Sequence, residues 1–137
     1  MVYFCRLLEN GGEYTAEFPD VPGLSASGKT KDETLYKAWQ VLNRNLEIEV
    51  GKGNEMPVST LDMQAELYPI QVDAHIMVAW TLRQLRGDTP QSEIATKLGL
   101  TYQAYQRLEN PRKANPSIKT LERVARVFGK RLEIHLS

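Results

Sequence analysis

The chain has 137 residues, 42% hydrophobic and 25% charged, which is the profile of a folded water-soluble protein with one domain or two small ones. Its formal net charge is zero, yet a cut after Gln71 leaves 6 Lys/Arg against 11 Asp/Glu in residues 1–71 and 11 against 6 in residues 72–137. One half is net −5 and the other +5, which predicts a surface that avoids phosphate followed by one drawn to it. No run approaches the roughly 18 to 20 apolar residues that cross a bilayer, and the N-terminus has no basic segment leading into an apolar stretch. A cytoplasmic location without membrane contact is expected. Cys5 is the sole cysteine, so it forms no internal disulfide or thiolate cluster and reads as a small buried hydrophobe.

From Val2 to Leu8 and from Tyr14 to Phe18, β-branched and aromatic residues predict two strands. Glu9-Asn10-Gly11-Gly12-Glu13 joins them, and its Asn-Gly pair suits the positive φ of a hairpin turn. The Pro19-Asp20-Val21-Pro22-Gly23 turn then leads to a weaker third strand near Leu24–Gly28. Thr30 and Glu33 form a capping box for a helix whose Leu35, Ala38, Trp39, Leu42 and Leu46 make one apolar stripe, with Gly51 as its end. Residues 51–66 read as a surface loop. Leu67 to Val72 return as a strand, at a sheet edge because Pro69 cannot donate to a central ladder.

The second half is helical and well punctuated. Asp73 is placed to cap a helix from Ala74 to Arg86, with Ile76, Met77, Ala79, Trp80 and Leu85 as its apolar surface. Thr89 is expected to cap the next helix with Pro90 at its first position, Ile94, Ala95 and Leu98 turned inward, and Gly99 as a left-handed stop. Thr101 caps a third helix after only a few residues, so the pattern is helix, tight turn, helix. Asn110-Pro111 closes that helix. Asn115-Pro116-Ser117 opens a fourth with Ile118, Leu121, Val124, Ala125 and Phe128 inward, ending at Gly129. In the tail, Leu132, Ile134 and Leu136 alternate with Arg131, Glu133 and His135, which predicts a strand that pairs with a second subunit.

Gln91 through Thr101, then Tyr105, Leu108, Glu109, Pro116 and the helix of Leu121, resemble the Xre/Cro/phage-repressor helix-turn-helix family. That resemblance implies that the helix from Tyr102 to Glu109 enters a major groove, with Tyr102, Gln103 and Arg107 at base-reading positions and Gln91 at a phosphate. Thr101, at the start of that helix, joins the same DNA-binding set. The chemistry agrees, since Gln can grip adenine and Arg guanine in a bidentate way, and helix N-termini favour phosphate. Arg112 and Lys113 in the following loop are candidates for backbone contacts that add affinity without sequence choice. Pro111 stands where that family usually has glycine. The plainer reading of Gln103 and Arg107 is an ordinary exposed helix residue, and the Tyr102 ring could pack instead.

Gly12-Glu13-Tyr14-Thr15-Ala16-Glu17-Phe18-Pro19-Asp20-Val21-Pro22-Gly23, with Gly28, Thr30 and the Leu35/Ala38 helix, resembles HicB antitoxins across residues 1–72. The fold class so implied is α+β: a degenerate ribonuclease-H-like β-β-β-α-β domain over 1–72, then an all-α helix-turn-helix domain over 73–137 with a C-terminal dimerisation strand. The function so implied is that of a type II antitoxin whose first domain masks a small basic ribonuclease toxin, HicA, and whose second represses the shared operon at its operator. Tyr14, Glu17, Asp20 and Glu33 are candidates for the toxin-facing side, although Asp20 could simply shape its turn. An even-numbered oligomer, homodimer or homotetramer, matches a palindromic operator.

No enzyme or cofactor is expected. Two-metal nucleases need several convergent carboxylates, and only Glu17 and Asp20 lie near the strands where such a set would begin. His75 and His135 belong to no metal-ligand spacing, and neither a Ser/His/Asp set nor a phosphate-cradling glycine loop is present. The alternative function is a repressor whose N-terminal domain senses a ligand or mediates assembly.

Overall fold

The turn at Gly11 and Gly12, with φ of 62° and 83°, folds β1 (Val2–Asn10) back on β2 (Glu13–Glu17) as an antiparallel hairpin. This is the first corner in a computed structural model that describes all residues from Met1 to Ser137. β3 (Ser25–Gly28) pairs with β2 and β4 (Leu67–Gln71) with β1, all antiparallel, so the sheet order is β3-β2-β1-β4. Pro69 therefore lies on an edge strand, as expected. Between β3 and β4 runs α1 (Lys31–Gly51), and the order β-β-β-α-β is the one anticipated for this half.

The register sorts the side chains. Tyr3 with Ile70, Leu7 with Ala16, and Ala16 with Ala26 are direct partners and share a face, on which Tyr3, Cys5, Ala16, Ala26 and Ile70 are buried. Ala38, Leu42, Leu46 and Val50 form the buried stripe of α1, which packs on β2, β3 and β4. Burial of each of Leu42, Leu46 and Val50 contributes roughly 1.5 to 3 kcal/mol, and that of the Ala38 methyl less. The capping box is formed in modified shape. Thr30 Oγ1 accepts from Glu33 N at 3.0 Å, and the Glu33 carboxylate accepts from Lys29 N at 3.0 Å rather than from Thr30. A Cβ at Gly28 would stand 2.7 Å from Thr34 Oγ1 and 3.0 Å from Thr34 N, so only glycine lets β3 run this close to the helix start. The helix passes through Gly51, and the left-handed residue is Gly53 (φ 90°) instead.

Asn43 is the polar centre of this half. Its amide donates to the Trp39 and Gln71 carbonyls at 3.0 Å each, while its oxygen accepts from Asp73 N at 2.7 Å. The Asp73 carboxylate, expected at a helix cap, accepts the Trp39 indole N–H at 3.0 Å. Residues 52–66 have no regular structure but are pinned. The Tyr3 hydroxyl donates to the Pro57 carbonyl at 2.6 Å, Ser59 Oγ donates to the Val2 carbonyl, and Thr60 donates to Asp20 from both its backbone N–H and its hydroxyl.

By contacts the chain divides into two units, Met1–Ile76 and Met77–Ser137, and the division falls within α2 (Ala74–Arg86). The second unit continues with α3 (Gln91–Leu98), α4 (Tyr102–Leu108) and α5 (Ile118–Val127). Leu82, Ile94, Ala95, Leu98, Tyr105, Leu108 and Val124 are its core, and Val78, Leu100, Val127 and Phe128 pack against them. Ile118, expected inside, is 59% exposed because it opens α5 directly after the Ser117 cap. The protein is thus α+β, with an antiparallel sheet unit followed by a helical one. No helix is long and apolar enough to cross a membrane.

The start of α3 also departs from expectation. Pro90 has φ −59° and ψ 141°, so it is itself the non-helical cap residue and α3 starts at Gln91. Thr89 does not cap that helix; its carbonyl accepts from the Arg86 guanidinium at 2.8 Å. In the single chain residues 130–137 carry no regular structure, the strand expected over Arg131–Leu136 being one that pairs with a second subunit. A strand is held by a neighbouring backbone, and alternation alone supplies none.

Candidate nucleic-acid interface

The candidate reading helix is set by its two ends. Gly99, with φ 69° and ψ 27°, closes α3 as Leu100 N donates to the Ala95 carbonyl at 2.9 Å and Gly99 N to Thr96 at 3.1 Å. This Schellman arrangement turns the chain within two residues of Thr101. Thr101 then caps α4, its hydroxyl accepting from Ala104 N at 3.1 Å. From α5, Arg123 donates to the Leu98 carbonyl, one of the acceptors left over at the end of α3.

Within α4 the side chains divide by helical period. Tyr105 and Leu108 are buried, while Tyr102, Gln103, Gln106 and Arg107 are exposed. Positions separated by one, four and five residues make a single stripe, so three of the expected readers stand together on one outward face. Gln106 completes that face and was not singled out in the sequence. The signal for it was one helical turn from Tyr102. In the structure its amide donates to the Tyr102 hydroxyl at 3.3 Å.

The structure also shows what holds this face in place. Arg86, at the end of α2, grips Glu109 with two parallel bonds, Nε to Oε2 at 2.6 Å and Nη2 to Oε1 at 2.9 Å. The Glu109 side chain is 4% exposed and that of Arg86 16%. Burial alone would raise the Glu109 carboxyl, but hydrogen bonds from Arg86 and Gln91, the nearby Tyr105 hydroxyl and the Arg86 charge outweigh it and leave the group below the usual glutamate range. Arg86 is correspondingly held more firmly protonated. The enclosed Tyr105 hydroxyl has no well-aligned hydrogen bond, yet it lies beside the same carboxylate, and burial foremost pushes its ionisation far up.

Gln91 belongs to this cluster as well. It begins α3, where a phosphate contact was expected, and its side-chain amide donates to Glu109 Oε1 at 3.1 Å. The geometry thus ties that side chain to the end of α4. Arg112 and Lys113 are exposed on a turn organised by Asn110, whose side-chain oxygen accepts from Arg112 N and whose carbonyl accepts from Lys113 N, both at 3.0 Å. Pro111 is fully buried in that turn, where no non-glycine residue takes a positive φ.

The four residues considered for the toxin-facing side do not converge on one patch. Tyr14 and Glu17 lie three apart on β2 and so project to opposite faces, Glu17 beside its strand partner Arg6. Asp20 accepts both Thr60 hydrogen bonds, which hold its carboxyl below the ordinary aspartate range. It pins the long loop as well as following the β2 strand. Glu33 is engaged by Lys29 N and by the Lys37 ammonium at 3.0 Å, and these lower its carboxyl too.

The family described as helix-turn-helix matches residues 81–134. No curated relative matches the chain. Among solved structures, the antitoxin HicB of Burkholderia pseudomallei is similar at 17% identity and a TM-score of 0.47, over 56% of this chain and 66% of that one. The chain thus spans just under two thirds of that protein's length. Residues 81–134, the stretch that is similar to the helix-turn-helix family, carry α3, the Gly99 turn and the α4 face.

Proposed function

We propose that this protein is a HicB-type antitoxin: residues 1–72 bind and neutralise a small basic ribonuclease of the HicA kind, and residues 73–137 bind operator DNA and repress the operon. The observation that carries this reading is the order of parts on one chain. An acidic β-β-β-α-β unit precedes a basic helix-turn-helix unit whose α4 exposes Tyr102, Gln103, Gln106 and Arg107. A net −5 surface favours a cationic protein, and a net +5 surface favours a polyanion. Arg107 and Gln103 supply bidentate base contacts, while Gln91, Arg112 and Lys113 supply phosphate contacts, with Thr101 setting the helix that carries the readers. Tyr14, Glu17, Asp20 and Glu33 remain the first positions to vary for toxin binding.

In this reading the protein works in the cytoplasm as an even-numbered oligomer and catalyses nothing. The tails pair between copies, Leu132, Ile134 and Leu136 gaining in a partner the backbone that a single chain does not provide. The test is co-expression with the product of the adjacent small open reading frame. A tight complex, and restored growth when that product alone arrests it, is the expected result. A harmless, unbound neighbour overturns the antitoxin reading and leaves a repressor with a sensing or assembly module.

A further inference from the structure

We propose that Gln106 and Tyr102 act as one base-reading unit, in which the glutamine amide fixes the direction of the tyrosine hydroxyl so that it donates to an acceptor on a base edge. The proposal rests on the DNA-binding reading of α4, and it names a specificity residue outside the positions that the helix-turn-helix resemblance supplied. It does not depend on the antitoxin reading.

The two side chains lie one helical turn apart and are both exposed, with Gln106 Nε2 donating to Tyr102 Oη at 3.3 Å. A phenol has one hydrogen to give and lone pairs to receive. With the amide N–H arriving at the oxygen, the hydroxyl hydrogen turns away from Gln106, and no acceptor in the chain takes it. Gln103 and Arg107 flank the pair on the same stripe, so the hydrogen is presented where the other readers point. Without Gln106 the hydroxyl would rotate freely and could serve any edge as donor or acceptor.

A fixed donor has a definite preference in the major groove. Guanine N7 and O6, adenine N7 and thymine O4 all accept, whereas the outermost group of cytosine is the N4 amine, a donor. One position in each half-site should therefore disfavour cytosine on the strand that Tyr102 reads. A single neutral hydrogen bond supports a preference of about tenfold.

The test is selection from a pool of random duplexes by the full-length protein and its variants, each sequenced to give base frequencies at every position. The wild type should select a motif with one cytosine-poor position. Tyr102→Phe and Gln106→Ala should each relax that same position, and the double variant should relax it no further. Gln106→Glu carries the sharper prediction, because a carboxylate only accepts. It draws the phenol hydrogen to itself and leaves the oxygen as an acceptor, so the position should switch toward cytosine or adenine, whose amines donate. Base frequencies are compared within each variant, which cancels the general repulsion of an added carboxylate by phosphate. Far-UV circular dichroism and affinity for the unselected pool, unchanged for Tyr102→Phe and Gln106→Ala, show that the fold is intact. If Gln106→Ala leaves the profile untouched, or relaxes a different position from Tyr102→Phe, the coupling is refuted while the DNA-binding reading stands. A wild-type protein that selects no motif overturns both.

Discussion

Removing Glu109 should unlock the helical unit more than any other single polar substitution. Its carboxylate takes two Arg86 bonds at 2.6 and 2.9 Å and one from Gln91 at 3.1 Å, with its side chain 4% exposed. Glu109→Ala strands the Arg86 guanidinium, which keeps its bonds to the Thr89 and Gly87 carbonyls but loses its counter-charge. Breaking such a buried pair costs about 3 to 5 kcal/mol, and because Arg86 retains 16% exposure the lower end applies, about 3 kcal/mol. That corresponds to roughly a hundredfold loss of amide protection at 1.36 kcal/mol per tenfold. Hydrogen exchange on the full chain should show it in peptides from α3 and α4. The pair also sets a pH dependence. The folded carboxyl lies below its unfolded value, so its stabilisation is complete above the ordinary glutamate pKa of about 4.3 and is lost as pH falls through the folded value. Glu109→Gln should therefore be destabilised at pH 7 and should lack this share of the acid sensitivity. A loss under about 1 kcal/mol at pH 7, with the acid profile unchanged, would refute the reasoning.

Four further outcomes follow from other parts of the structure. Arg107→Ala should weaken specific DNA binding by about 1 to 3 kcal/mol while toxin neutralisation persists, whereas Lys113→Ala should lower affinity for all sequences and flatten the salt dependence by about one unit, both measured by fluorescence anisotropy across salt. Asn43→Ala removes three hydrogen bonds from a nearly buried site and should cost about 2 to 4 kcal/mol in urea denaturation; a change below about 0.5 kcal/mol would deny it that role. Cys5 is fully buried, and burial pushes its thiol up to about 11, so an aromatic disulfide reagent at pH 8 should label it only after unfolding.

Local chemistry made much of the fold legible. The hairpin corner, the Thr30 cap, Pro69 at an edge and Gly99 in the helix turn each follow from what one or two residues permit; the last three stand where expected, while the corner falls on Gly11-Gly12, one residue past the Asn10-Gly11 pair. The exposed face of α4 was legible for the same reason, because helical period separates Tyr102 and Arg107 from Tyr105 and Leu108. What escaped depends on residues far apart in the chain. Arg86 and Glu109 are 23 positions apart, Asn43 and Asp73 are 30, and Asp20 and Thr60 are 40. Their pairing is decided by packing rather than by spacing. The tail is the opposite case, since alternation predicts which side chains share a face but a single chain supplies no hydrogen-bonding neighbour. Pro90 misled because the same residue suits either the cap or the first turn, and only its ψ distinguishes them.

The interleaving of two residue sets on α4 bears on how such proteins diverge. Tyr105 and Leu108 anchor the helix in the core and Glu109 fastens its end, while positions 102, 103, 106 and 107 face outward. If the outer four read bases as proposed, substitutions there would rewrite a genomic address at little cost to folding. Two copies of such a gene in one cell could become mutually insulated through changes at these positions alone, and an engineer could build orthogonal repressors by randomising the same four codons.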